Sequence, residues 1–420
     1  MSARRGQRGF TLVELLVALA VSVLVVAGAL GLVVAQQRVL RATSGDRSLQ
    51  ETGRVALEEL TGNLRLAGYG IDPVYAFDFG PLLITRQERA PFGSVGTAAS
   101  TFASCTSVTC RDSTAGSDEI VFRYRNPSFV RSLAATPTGG DSITVAGPLP
   151  SPLYAGQILQ VMCFSGDMLW AYVTVGSTVA ASTADTVTVN LATGVANQFP
   201  FQNSYLANAC FSAVAPRNAD PVTFANAAKV YKVDQFRYYV ARFDEAGNPV
   251  TDVTSTARPY LMLDQGLVDG STPIRSVVVP DVEDLQFAYV FPNSAAALRL
   301  IGATPGTAIS AGSSGIDTNP DPDPPAFSDE GTAATRTTQH PANIRAVAVS
   351  VVARSPQAED GVFDSAIPAT RNRRATVGPE GHRRQLFETT AATRNLDARG
   401  PSFPVYSTNS GADRLNVGGG

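Results

Sequence analysis

One carboxylate stands inside the longest apolar run of this 420-residue chain: Glu14, in GFTLVELLVALAVSVLVVAGALG, four residues after Phe10 of the pair Gly9-Phe10. A charge in hydrocarbon costs at least a few kcal/mol, so this position calls for a partner of opposite sign. Other groups able to do chemistry are sparse. The two histidines, His340 and His382, lie in the polar stretches TTQHPAN and PEGHRRQ and are expected in exposed loops. So few imidazoles exclude a multi-histidine metal site. The loop IDTNPDPDPP sets Asp317, Asn319, Asp321 and Asp323 at alternate positions, like the start of a calcium loop. It lacks the central glycine and the closing glutamate, so a solvated linker is the better reading. Glu283 and Asp284 are neighbours on a strand-like run and point to opposite faces unless the strand is distorted, which argues against an acid–base pair. No GxSxG elbow or phosphate-binding glycine loop is present, and no catalytic residue, metal or cofactor is expected. Arg371, Arg373, Arg374, Arg383 and Arg384 gather late in the chain and read as a solvated basic face, with a docking patch for an acidic neighbour as the other option.

The element that positions Glu14 is a helix. Leu15 to Ala35 is 21 residues without a formal charge, roughly 31 Å of helix at about 1.5 Å per residue and long enough for one bilayer core. Arg4, Arg5 and Arg8 precede it, so the positive-inside rule keeps the leader in the cytoplasm and sends the rest across the inner membrane. A cleaved signal peptide and a plain anchor also have this outline, but neither accounts for Glu14 or for the helical pattern beyond Ala35. There Leu49, Gly53, Ala56, Leu60, Leu64 and Ala67 step by three or four residues, and Arg47, Glu51, Arg54 and Glu58 trace the opposite side. The amphipathic half should end near Gly68 or Gly70, with a bend at Ser44-Gly45-Asp46.

The segment RGFTLVELLVALAVS resembles the class III signal of type IV pilins and pseudopilins: a basic leader ending in Gly9, then Phe10, an acid at Glu14 and an apolar helix. The resemblance implies that a prepilin peptidase cuts after Gly9 and methylates the new amino terminus at Phe10. It also implies that Glu14 complements the terminal ammonium of a neighbouring subunit, a pairing in low dielectric that turns a penalty into a register mark. In the second half, VEDLQFAYVF, IRAVAVSVVARS and RRQLFETTAATRNL follow in an order similar to the PilW-like minor pilins, and LRLAGYG fits the end of their first helix. That branch implies a structural subunit in an initiation or tip complex with other minor pilins and the major pilin, beneath a tip adhesin. The fibre would serve motility, adhesion or DNA uptake. The alternatives are a J-type pseudopilin of type II secretion and a pilin-anchored adhesin or ligand-binding protein; an exported hydrolase ranks third, for want of a nucleophile–base pair.

The expected fold is α+β: a long N-terminal helix, its first half transmembrane, packed on an extracytoplasmic, mainly antiparallel β-rich region. The formal net charge of −3 gives no case for nucleic acid as a partner. Charged residues are only 16 %, with 36 glycines and 27 prolines, which suits a loop-heavy β-rich domain. The organisation is a cleaved leader at 1–9, an assembly helix at 10–35, its amphipathic continuation at 36–70, a variable β-rich region at 71–228 and a PilW-like β-rich region at 229–420 interrupted by a low-complexity loop at 302–342. In an exported chain the four cysteines default to disulfides. Of three pairings, Cys105–Cys110 and Cys163–Cys210 are favoured because each closes within its own neighbourhood.

Overall fold

The structure is a computed structural model and describes residues 11–77, 117–118, 120–164, 169–193, 206–217, 219–243, 249–250, 257–292, 298–301, 344–358, 366–368, 370 and 376–398. Gly9, Phe10, the Cys105–Cys110 pairing, the aspartates of the 302–342 loop, His340, Arg371, Arg373 and Arg374 lie outside these residues.

Helix α1 (Leu12–Leu64) is 53 residues long, about 80 Å at 1.5 Å per residue. The expected bend at Ser44-Gly45-Asp46 does not interrupt it, and the helix assignment is continuous through those residues. It gives way to turns over 65–70, where Gly68 and Gly70 take φ of +76° and +69°. A Cβ at Gly68 would meet Leu396, so both backbone freedom and close approach call for glycine there. The predicted stripe is buried at every position, and Arg47, Glu51, Arg54 and Glu58 are exposed.

Fifteen strands follow among the described residues: β1 (Ile120–Ser132), β2 (Ser142–Ala146), β3 (Ile158–Cys163), β4 (Leu169–Thr174), β5 (Thr186–Asn190), β6 (Lys229–Phe243), β7 (Pro249–Val250), β8 (Arg258–Asp269), β9 (Thr272–Pro280), β10 (Val282–Pro292), β11 (Leu298–Ile301), β12 (Ala346–Arg354), β13 (Ala366–Ile367), β14 (Thr376–Val377) and β15 (Arg384–Ala392). Two short α-helices, α2 (Pro221–Asn226) and α3 (Arg394–Asp397), and 3₁₀ turns at Pro73–Tyr75 and Ala209–Ser212 accompany them. All pairings between these strands are antiparallel.

Strand β6 is the hub of the first sheet. Residues 229–231 and 233 pair with both β1 and β3, and residues 237–238 with both β1 and β8, so β1 runs along one edge and β3 and β8 share the other. The second sheet has the order β11-β10-β12-β15. The run RSVVVPDVEDLQFAYVF, continuous as sequence, is cut at one residue: β9 ends at Pro280 in the first sheet and β10 begins at Val282 in the second. Asp281 makes the corner at φ +63°, a left-handed conformation that aspartate tolerates. Its N–H donates to Pro259 O, its C=O accepts from Arg354 N–H, and Arg258 grips its carboxylate at 2.8 and 2.7 Å.

Two cores result. One joins α1 to both sheets through Leu60, Leu64, Phe122, Leu285, Val349 and Val351. The other fills the space between β3–β4 and the β2–β5 ribbon, around Val145, Val161, Val173, Val189 and Phe211. Cys163 and Cys210 are joined beside this second core, with Cα atoms 5.9 Å apart and 47 residues of separation. Closing a loop of that length restricts the unfolded chain by about 4 kcal/mol in loop-entropy terms.

Candidate assembly site

The N-terminal half of α1 is a bare rod. Leu12–Gln37 is apolar and long enough to cross a membrane, and none of it is buried. Its large side chains run from 46 % exposed at Val33 to 78 % at Leu12. A face of that size must be covered by lipid tails or by other helices.

At its start, Thr11 is the N-cap and Glu14 occupies the third helical position. Thr11 N–H and Thr11 Oγ1 both donate to Glu14 Oε2 at 3.0 Å, and Glu14 N–H donates back to Thr11 Oγ1 at 3.3 Å. This capping box gives the carboxylate a second task beside the one expected of it: it satisfies the orphan donors of its own helix. Thr11-x-x-Glu14 carries that pattern in the sequence, and reading Glu14 only as an acid in hydrocarbon passed over it. Both accepted bonds fall on Oε2, and a carboxylate has lone pairs on two oxygens. The cap therefore orients the group and leaves Oε1 for a second donor.

The other half of α1 is fixed to both sheets. Gly53 lies against the Phe387 ring of β15, where a Cβ would come within 2.3 Å. Asn63 Nδ2 donates to Glu59 Oε1 and to Tyr238 Oη, and Tyr238 O–H donates to Glu59 Oε1 at 3.0 Å, tying the helix to β6. Burial, with the Glu59 charge beside it, pushes the Tyr238 phenol well above its ordinary range. From α3, Asn395 Nδ2 donates to the carbonyls of Arg65 and Ala67 just past the helix end. Arg383 Nη1 meets Asp46 Oδ1 at 3.2 Å. The bare half thus projects from a docked half as one continuous helix.

The late arginines do not form one solvated face. Of the two that lie among the described residues, Arg383 keeps substantial exposure and the Arg384 side chain is buried against Glu283, so the basic-face reading fails for Arg384. Glu283 is the extra residue of a β-bulge: Val282 pairs with Ala353 and Asp284 with Val352, leaving position 283 without a cross-strand register partner. The distortion buries both acids, with Glu283 against Arg384 and Asp284 accepting from Ser117 Oγ and Gln286 Nε2. His382 also departs from expectation. It is 6 % exposed, because Ser355 O lies 2.8 Å from its Nδ1 and the turn between β14 and β15 folds it onto the end of β12.

Burial and then the Arg354 charge hold the His382 imidazole below its ordinary pKa. The unfolded chain therefore takes up this proton first as pH falls below about 6.5. The His382 contribution to stability is complete above that pH and is lost between it and the lower folded pKa. Thermal unfolding midpoints should fall as pH is lowered through this window. His382→Gln should flatten that dependence, and an unchanged pH profile in the variant would remove the assignment.

Among the described residues no group of three or more His, Cys, Asp or Glu could hold a metal ion. Residues 4–30 match a family model described as the prokaryotic N-terminal methylation motif. No curated protein and no solved structure matches the chain. The motif supports a type IV pilin-like or pseudopilin protein and implies processing by a prepilin peptidase and assembly with other pilins. Together with the apolar helix it fits a protein anchored in the inner membrane and incorporated into a pilus.

Proposed function

We propose that the chain is a minor pilin of a type IV pilus, of the PilW-like branch, acting with other minor pilins in an initiation or tip complex. The observation that supports this reading is one helix with two halves: bare and apolar behind the methylation motif, then docked on both sheets. In this reading the prepilin peptidase cuts after Gly9 and methylates Phe10, and the bare half holds the subunit in the inner membrane with residues 36–420 in the periplasm. Side-by-side packing of bare halves then brings the subunit into the fibre. Glu14, oriented by Thr11, offers Oε1 to the terminal ammonium of a neighbour, at a depth where an unpaired charge is costly. The size of the β-rich region favours a minor pilin over a J-type pseudopilin.

Amino-terminal sequencing of the mature protein tests processing, which should begin at N-methylated Phe10. Glu14→Ala should leave cleavage largely intact and lower the amount in sheared fibres by about tenfold, the scale of 1.4 kcal/mol lost at one contact. A start other than Phe10 ends this reading, and normal incorporation of the variant ends the role given to Glu14. Absence of the wild-type protein from sheared fibres, with processing intact, would favour the pseudopilin.

A further inference from the structure

The sheets end in several edge strands, and they are not alike. Long flat edges are templates for pairing with another chain, and proteins blunt them with proline, bulges or shortness. Strand β9, an outer strand of the first sheet, carries Pro273 and Pro280, and its register to β8 shifts between Leu261 and Met262 and again between Asp264 and Val268. Strand β11 is four residues long. Strand β15 has none of these devices. It contains no proline and pairs with β12 at nine consecutive positions without a shift.

The side of β15 that faces away from β12 can be read from the ladder. Ser355 N–H donates to Arg383 O, and Thr393 N–H donates to Arg345 O. In an antiparallel pair, residues bonded to the partner alternate with residues whose N–H and C=O point outward. Bonding to β12 therefore falls on odd numbers, and the backbones of Leu386, Thr390 and Ala392 face out. Among the described residues no strand pairs with that side. The Gln385, Glu388, Thr390 and Ala392 side chains are exposed.

The edge also has a fixed relation to the helix. Arg383 touches Asp46, Phe387 lies on Gly53, and Leu396 lies against Gly68, so β15 runs parallel to α1 with its residues level with the docked half. Antiparallel pairing of β15 with a second copy of itself would set two α1 helices antiparallel, which a shared membrane forbids. We infer that the outer edge of β15 takes an extended strand from a different pilin-type subunit, by strand addition alongside the packed helices. Main-chain bonds would supply the affinity and α1 the alignment. This inference rests on the pilin reading above and names a contact which that reading does not require.

Residue-resolved amide exchange on the full chain tests it. In detergent, the amides of Leu386, Thr390 and Ala392 should exchange fast and those of Phe387, Thr389 and Ala391 slowly. In fibres sheared from cells, the first set should slow by at least about tenfold as it acquires partners. Thr390→Pro removes an outward N–H that β12 does not use, so the variant should fold and be processed yet fall by about tenfold in fibres. Thr389→Pro is the contrast, because it breaks the ladder to β12 and should lower stability directly.

Fast exchange that persists in fibres overturns the inference, and so does protection already complete in detergent, since the chain would then cover its own edge. Normal incorporation of a folded Thr390→Pro also overturns it. Concentration-dependent dimerisation of the purified chain that Thr390→Pro abolishes would make the occupant a second copy and overturn the partner assigned. If the wild type is absent from fibres, the pilus reading fails first; if it is present and the edge behaves as in detergent, this inference alone fails.

Discussion

Glu283→Gln is expected to lose about 3–5 kcal/mol of folding stability, the usual cost of removing one charge from a buried ion pair. Arg384 Nε donates to Glu283 Oε2 at 2.5 Å, its Nη2 donates to Oε1 at 3.2 Å, and Arg354 Nη1 stands 3.9 Å from Oε1. The Glu283 side chain is 0 % exposed and that of Arg384 4 %. Arg242 Nη2 donates to the carbonyl of the same residue, so β6, β10, β12 and β15 all meet at one acid. Glutamine keeps the shape of the site but leaves buried guanidinium groups facing a neutral amide. Desolvation already weighs against such charges, and their attraction to Glu283 is what offsets it. Arg383→Gln is the control: its pair with Asp46 is half exposed and should contribute under about 1 kcal/mol. Urea unfolding of the two variants measures both quantities. Equal losses would mean that the buried cluster does not hold the sheets together.

That acid also shows where sequence reading stopped. The stripe from Leu49 to Ala67 was legible because a helix repeats every 3.6 residues and one greasy face must be buried, and the structure buries each of its members. Apolar, β-branched runs around Ile120, Ile158, Leu169, Lys229 and Ala346 carry a strand signal in the sequence as well, although β3 and β12 are buried throughout rather than at alternate residues. The α+β class followed from the two together. Strand β2, in the short run SITVA, is brief enough that its alternation is lost among turn residues. The corner at Asp281 had no periodic signature, since one left-handed residue changes sheets while apolar character continues on both sides. Arg384 and His382 were read as exposed because their sequence neighbours are polar, yet burial is set by what folds over them from residues some hundred and about thirty positions away. Local composition cannot report a contact at that separation.

The candidate site divides in the same way. Glu14 stood out by its residue type inside an apolar run, and the roles given to it and to the Gly9-Phe10 junction came from the resemblance of RGFTLVELLVALAVS to a prepilin signal. The capping box was equally present as Thr11-x-x-Glu14, but a reading that sought a partner in another chain did not look for one three residues away. The edge of β15 could not be read at all, because an open edge depends on sheet order and no local pattern encodes strand order.

The largest effect on the helix itself is expected at Gly53. A glycine inside a helix costs about 1 kcal/mol relative to alanine, so a glycine in the middle of the docked half needs a physical reason. The reason is contact: a Cβ there would lie 2.3 Å from two atoms of the Phe387 ring and 2.6 Å from a third. Gly53→Ala therefore sets a gain of about 1 kcal/mol in helix propensity against a clash that must displace the ring or the helix. Overpacking a close contact costs about 1–3 kcal/mol, so alanine should be net destabilising by a small amount. Gly53→Leu cannot be absorbed by rotating one ring. It should lift α1 from β15 and cost at least about 3 kcal/mol, at the upper end of overpacking effects. A second change separates this mechanism from a general defect of the helix. Phe387→Ala alone should lose a few kcal/mol by leaving a cavity, whereas Phe387→Ala combined with Gly53→Leu should recover part of both losses, because each removes the other's problem. Denaturant unfolding of the four proteins measures the coupling, which should exceed about 1 kcal/mol in favour of the double variant. Strict additivity would mean that Gly53 is tolerated in the helix rather than required by the ring. The same comparison bears on assembly. If docking of the second half is what holds the bare half as a straight rod, fibre incorporation should fall with Gly53→Leu and return with the double variant, while the processing proposed after Gly9 should be the same in all four.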